Sequence, residues 1–233
     1  AADRVVMRDR AAEAEQRLQD LAERRDLELH SGYLSYCPWP RGIAYEGLDG
    51  RCFADQAELY DRVLPELDPD IVFLAHRPVD DVNDPSAIVD SDAGLLESDG
   101  GRQAAALDRR MTDLVRALRA DGRIVVIFEP IPVVAKAQNP LTCLSLERAL
   151  EPCRFVTRSG PGPQEKAIRR LADEDPGVVA VDLDRLACPF LPICDPVVDG
   201  QVVRHDDNPL TLAFARSMVD EVEAFLVAEG VVG

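Results

Sequence analysis

Short, largely apolar runs alternate with longer stretches in which apolar residues recur every three or four positions. The runs are Val5-Val6-Met7, Leu27 to His30, Ile71-Val72-Phe73-Leu74-Ala75, Ile124 to Phe128 and Val178 to Leu183, and each predicts a strand. Between them the spacing predicts helices over about Ala11 to Arg25 and Phe53 to Leu67, and around Leu107, Met111, Leu114 and Leu118. Two more follow, one through Ala172 and one from about Leu210 to Glu229. Strands this apolar are buried on both faces. Their alternation with amphipathic helices predicts a three-layer α/β/α sandwich with a central parallel sheet, flavodoxin-like in class. No internal repeat or linker interrupts residues 1–233, so a single domain is expected. The acidic segment 77–101 shows little periodicity and reads as a long surface excursion.

Charge removes several function classes. The chain of 233 residues carries 26 basic and 43 acidic side chains, net −17, and only two lysines, Lys136 and Lys166. A nucleic acid or an anionic membrane would be repelled before local contacts formed, so no nucleic-acid partner is expected. There is no signal-peptide pattern and no apolar run of about 18 residues.

The six cysteines fall as three sequence-local pairs: Cys37 with Cys52, Cys143 with Cys153, and Cys188 with Cys194. None forms a CxxC, and His30, His76 and His205 stand at no ligand spacing to them, so no metal or other cofactor is expected. Six cysteines allow 15 pairings, of which the local one pinches three loops and needs no special topology. Each closure would restrict the unfolded chain by about 2–4 kcal/mol. That pairing points to an oxidising, extracytoplasmic setting. Buried free thiols in a cytosolic protein are the alternative.

In an open parallel sheet, ligands gather at the carboxyl ends of the strands. The turn after the first strand reads Arg8-Asp9-Arg10-Ala11. Near the other end, His205-Asp206-Asp207-Asn208-Pro209-Leu210-Thr211 precedes the last helix. In these segments the chain resembles the SGNH hydrolase-like domain fused behind the membrane domain of acyltransferase-three O-acyltransferases. The resemblance extends to Cys37-Pro38-Trp39, to the segment Cys188 to Cys194 and to Val197-Val198-Asp199-Gly200. It implies an upstream membrane acyltransferase domain, tethering to the cytoplasmic membrane through that parent, and a cell-envelope glycan or glycolipid as acceptor.

The family's first strand ends Gly-Asp-Ser, and its acid and base come from Asp-x-x-His-Leu-Thr. Here the nucleophile position is Arg10 and the base position is Pro209, leaving Asp9 and Asp206 as vestiges. Acyl transfer by that route needs a hydroxyl nucleophile and an imidazole to move its proton. Arginine stays protonated and proline has no side-chain acceptor, so the domain reads as a pseudoenzyme serving in substrate binding or regulation. The segment Ala75-His76-Arg77-Pro78 supplies neither the Gly nor the Asn of the family's oxyanion hole. Binding candidates are Arg10, pairing with Asp9 or Asp206, His205 beside the same crevice, and Trp39 as a stacking platform. Asp206 and Asp207 also suit a helix start, with Asn208 as cap and Pro209 in the first turn. The rival readings are a stand-alone envelope-saccharide-binding module and an active O-acyltransferase or esterase using other residues.

Overall fold

The structure is a computed structural model. It describes residues 3–8, 22, 24–25, 27–34, 37–83, 85–98, 101–135, 138–206 and 210–232, with backbone alone at 3–8, 31 and 33. Five parallel strands form the central sheet: β1 (Asp3–Arg8), β2 (Glu28–Tyr33), β4 (Ile71–Leu74), β7 (Ile124–Phe128) and β9 (Val178–Val181), in the order β2-β1-β4-β7-β9. Val72 lies opposite Val125, and Val126 opposite Val179.

Period-two alternation splits the strand side chains between two faces. Val72, Leu74, Val125 and Ile127 join a core covered by three helical pieces: α1 (Asp49–Glu58), which continues through a π-helical turn Leu59–Val63 into α2 (Leu64–Leu67); α3 (Gly101–Ala120); and α5 (Pro163–Glu174). Ile71, Phe73, Val126, Val179 and Val181 face the other way and pack on Val222 and Leu226 of α8 (Val219–Ala228). The sandwich is therefore the three-layer α/β/α arrangement expected. Leu107, Met111, Leu114 and Leu118, the stripe read from the sequence, are all buried along α3.

Two expectations need correcting. Segment 77–101 is not an aperiodic surface excursion: β5 (Ile88–Asp90) and β6 (Gly94–Leu96) pair antiparallel with each other, and β5 pairs with β3 (Ile43–Tyr45). Its acidity is partly internal, because Asp90 is buried against Arg109 (2.7 Å) and Arg110 (2.9 Å). Burial opposes its ionisation, but Arg110 and the backbone N–H groups of Asp92 and Ala93 hold its carboxyl down at about 2. Strands of three residues are too short for alternation to reveal. The second correction concerns the last helix. It is two pieces, α7 (Leu212–Ser217) and α8, and its N-cap is Thr211, whose Oγ1 accepts the Phe214 N–H at 3.2 Å, rather than Asn208. Leu210, directly before Thr211, pairs with Arg204 in an isolated antiparallel bridge. Asp207, Asn208 and Pro209 lie outside the described residues, as does most of the expected helix 11–25.

The smaller elements close over the sheet's carboxyl edge. They are α4 (Pro140–Leu146), α6 (Asp184–Ala187), the two-residue pair β8 (Phe155–Val156) with β10 (Ile193–Cys194), and the hairpin β11 (Val197–Val198) with β12 (Gln201–Val202). That hairpin turns on Asp199 (φ 48°) and Gly200 (φ 76°), an Asp-Gly pair suited to the left-handed backbone of a tight hairpin. The three local disulfides are all present, Cys37–Cys52, Cys143–Cys153 and Cys188–Cys194.

Candidate functional site

The carboxyl edge is walled on one side by the loop after β2. The Cys37–Cys52 disulfide closes this loop onto α1, and the buried Gln56 holds it from beneath. Gln56 Nε2 donates to the carbonyls of Pro38 (2.8 Å), Ile43 (2.8 Å) and Pro40 (3.3 Å), while its Oε1 accepts the Gly42 N–H at 2.9 Å. Gly42 sits at φ 81°, and a Cβ there would meet Ser91 Oγ at 2.8 Å, so glycine is needed on both counts. Tyr60 Oη donates to the Trp39 carbonyl at 2.6 Å; burial of this phenol pushes its pKa well above the ordinary value. Trp39 is only 1% exposed, which removes it as a solvent-facing stacking platform. Its ring packs instead on His76, centroid to centroid 5.6 Å.

His76 follows β4. Its Nε2 meets the amide nitrogen of Gln164, at the start of α5, and its pKa is depressed to about 3 by burial and by the charge of Arg77. Arg77 lies over the Tyr45 ring, 5.5 Å from its centroid. The segment that sequence reading passed over as an absence of Gly and Asn thus carries a buried imidazole.

The other half of the edge, after β7 and β9, is acidic. Glu129 is buried and receives a bidentate pair from Arg169, Nε to Oε1 at 2.9 Å and Nη2 to Oε2 at 2.7 Å; Arg169 also reaches Asp182 Oδ2 at 2.8 Å. Burial raises the Glu129 pKa against the pull of Arg169. Glu165 accepts the Gly162 N–H and is pushed up to about 6 by burial, and Asp184 is pushed up to about 7 by burial and then by its acidic neighbours Glu165, Asp182 and Glu129. Asp81 ties the loops together by accepting the N–H groups of Asn83 (2.7 Å) and Val133 (3.2 Å). A cavity of about 30 Å³, one water in size, sits among Asp80, Asp81, Glu165, Asp184 and Arg158. Among the described residues no group of His, Cys, Asp and Glu is arranged to hold a metal ion. Glu129-Pro130 directly after a wholly apolar strand was the one sequence signal for this half; its partner Arg169, 40 positions on, carried none.

Of the residues singled out in the sequence, His205 and Asp206 are brought together, Nδ1 to Oδ2 at 3.5 Å, on half-exposed side chains. Asp9, Arg10 and Pro209 lie outside the described residues. A separate groove of about 430 Å³ runs between α1–α2 and α3, floored by Phe53, Tyr60 and Leu114. Its guanidiniums are already engaged, Arg41 by Asp61, Arg110 by Asp90 and Arg123 by Asp68.

The family of SGNH domains fused to AT3 domains matches residues 11–224. The chain belongs to that family. No curated protein sequence matches it. Solved structures share the SGNH fold at low identity. The periplasmic domain of a lipopolysaccharide acetyltransferase from Salmonella ser. Paratyphi A is 12% identical, with 97% of this chain and 84% of that one covered and a TM-score of 0.63. An acetyl xylan esterase is 16% identical over 96% and 99%, with a TM-score of 0.52. A putative acylhydrolase from Bacteroides fragilis is 11% identical over 97% and 87%, with a TM-score of 0.53. In this SGNH domain the sheet edge that family members share is therefore furnished with an enclosed Trp39–His76 pair and an Arg169-centred carboxylate cluster.

Proposed function

We infer that residues 1–233 form one extracytoplasmic SGNH-like domain of a membrane O-acyltransferase acting on an envelope glycan or glycolipid, and that this domain binds or presents substrate without turning it over. The family match over residues 11–224 supports this reading, together with the sequence resemblance that sets Arg10 and Pro209 at the positions of nucleophile and base. Neither side chain can take a proton from a hydroxyl at neutral pH. Three disulfides support an oxidising compartment. Among the described residues no helix is long and apolar enough to cross a membrane, so tethering falls to the fused AT3 domain. Arg10 and His205 are the binding residues that this reading favours near Asp206.

The test is turnover of p-nitrophenyl acetate by the purified chain. The expected rate equals that of buffer. Turnover well above it, abolished by Asp206→Ala, overturns the inactive reading in favour of an esterase or transferase built on the His205–Asp206 pair, which is the one observation that favours that rival.

A further inference from the structure

At the carboxyl edge, Trp39 Nε1 and His76 Nδ1 are buried without an acceptor among the described residues. They belong to the loops after β2 and β4, the strands hydrogen-bonded to β1 on either side, so they flank the exit of β1. Their rings are in contact, 5.6 Å between centroids and tilted by 37°. The indole nitrogen can only donate. The imidazole's state follows from its neighbour. Gln164 Oε1 accepts the Val79 N–H at 3.3 Å, which turns the amide nitrogen toward His76 Nε2. An amide nitrogen only donates, so Nε2 is the bare ring nitrogen and the proton of the neutral ring sits on Nδ1. Burial keeps that ring neutral throughout the physiological range.

The pair therefore offers two N–H donors and no charge of its own. An orphaned buried donor is costly, and a mobile side chain would turn to find a partner. Here Trp39 is fixed by the disulfide, by Gln56 and by Tyr60, and His76 is fixed by Gln164. Rigid, neutral donors at the ligand-gathering edge of a parallel sheet suit an oxygen that only accepts. We propose that Trp39 and His76 form a two-donor site for the acceptor oxygen of an acyl group, whether an ester carbonyl or a free carboxylate. The choice of an acyl ligand rests on the function inferred above; the donors themselves do not.

Trp39 is the single tryptophan, so its indole N–H gives one indole proton resonance in the intact chain. Titration with triacetin, sodium acetate and sodium chloride separates the sources. A saturable downfield shift with triacetin assigns the ester carbonyl, one with acetate alone assigns the carboxylate, and sodium chloride is expected to do nothing. His76→Phe keeps a ring and should weaken the response about tenfold, the worth of one ordinary hydrogen bond. If that variant does not melt cooperatively, Trp39→Phe replaces it, with binding followed by saturation transfer to the acetyl methyl group, where a similar loss is expected. A flat titration in all three, or affinity unchanged in the folded variant, overturns the site and leaves the inactive reading intact. Asp206-dependent ester turnover would overturn that reading and leave the shift in place.

Discussion

The Cys37–Cys52 loop and the unit closed by Cys143–Cys153 and Cys188–Cys194 use the same covalent device in opposite surroundings. In the first, Cys37, Pro38, Trp39, Pro40, Ile43 and Ala44 are all buried and the backbone is satisfied by one internal glutamine. In the second, the outer face carries Leu141, Leu146, Leu150, Val156, Phe190 and Ile193, six of the ten large apolar side chains that stand exposed among the described residues. Arg154 ties its two loops through Asp195 at 2.5 Å. Both regions are short loops with cysteine and proline. The first is pressed into the wall of the crevice, whereas the second buries only its inner side, with Phe155, Cys188 and Cys194, and its outward apolar side chains contribute little to folding, because burial and not hydrophobicity is what stabilises.

Substitutions can break or sharpen that contrast. The largest effect is expected for Cys37→Ala with Cys52→Ala, about 3–5 kcal/mol from a closed loop that is also a packed core element, read as a shift of the urea midpoint. Gln56→Leu should follow at about 2–3 kcal/mol, since it strands the Gly42 N–H and the Pro38 and Ile43 carbonyls, with a change in Trp39 fluorescence that the first variant shares. Cys143→Ala with Cys153→Ala should cost about 2 kcal/mol and leave that fluorescence unchanged. If it costs as much as the first pair, the contrast fails.

The acidic half of the crevice gives a pH signature. Asp184 is raised to about 7 in the folded chain, so between its unfolded pKa and 7 the native state binds more protons and the ionised carboxyl destabilises it increasingly as pH rises. Asp184→Asn should therefore be neutral only at or below the unfolded pKa of about 4 and raise Tm increasingly above it, at pH 8 by about 2–4 °C for each kcal/mol relieved. His76 acts with the opposite sign: its folded pKa is depressed to about 3, so its contribution is complete above the unfolded value and is lost as pH falls through that window. Wild-type melting alone would mix the two, which is why the difference between the chains is the measurement. The smallest effect is expected for Phe190→Ser, within about 0.5 kcal/mol, since its side chain is already 70% exposed.

Much of the scaffold was legible because its signals are local and redundant. The five apolar runs became the five strands of the central sheet, the α3 stripe packed as spaced, and cysteines ten or so positions apart paired with their neighbours. The partners that build the described part of the site were not legible. Glu129 with Arg169, His76 with Gln164, and Asp90 with Arg110 are separated by 40, 88 and 20 positions, and no periodicity links such partners. The three-residue strands β5 and β6 were hidden in an acidic segment for a related reason: Asp90 is polar in sequence and buried in space.

The sequence by itself determined the layer architecture and the family, because hydrophobic periodicity and side-chain chemistry are properties of residues taken singly or a turn apart. Tertiary structure alone decided which charges are buried, which carboxyls are pushed toward neutrality, and that Trp39 faces His76 rather than solvent. Those outcomes depend on desolvation and on partners brought from distant strands, and neither exists until the sheet has closed.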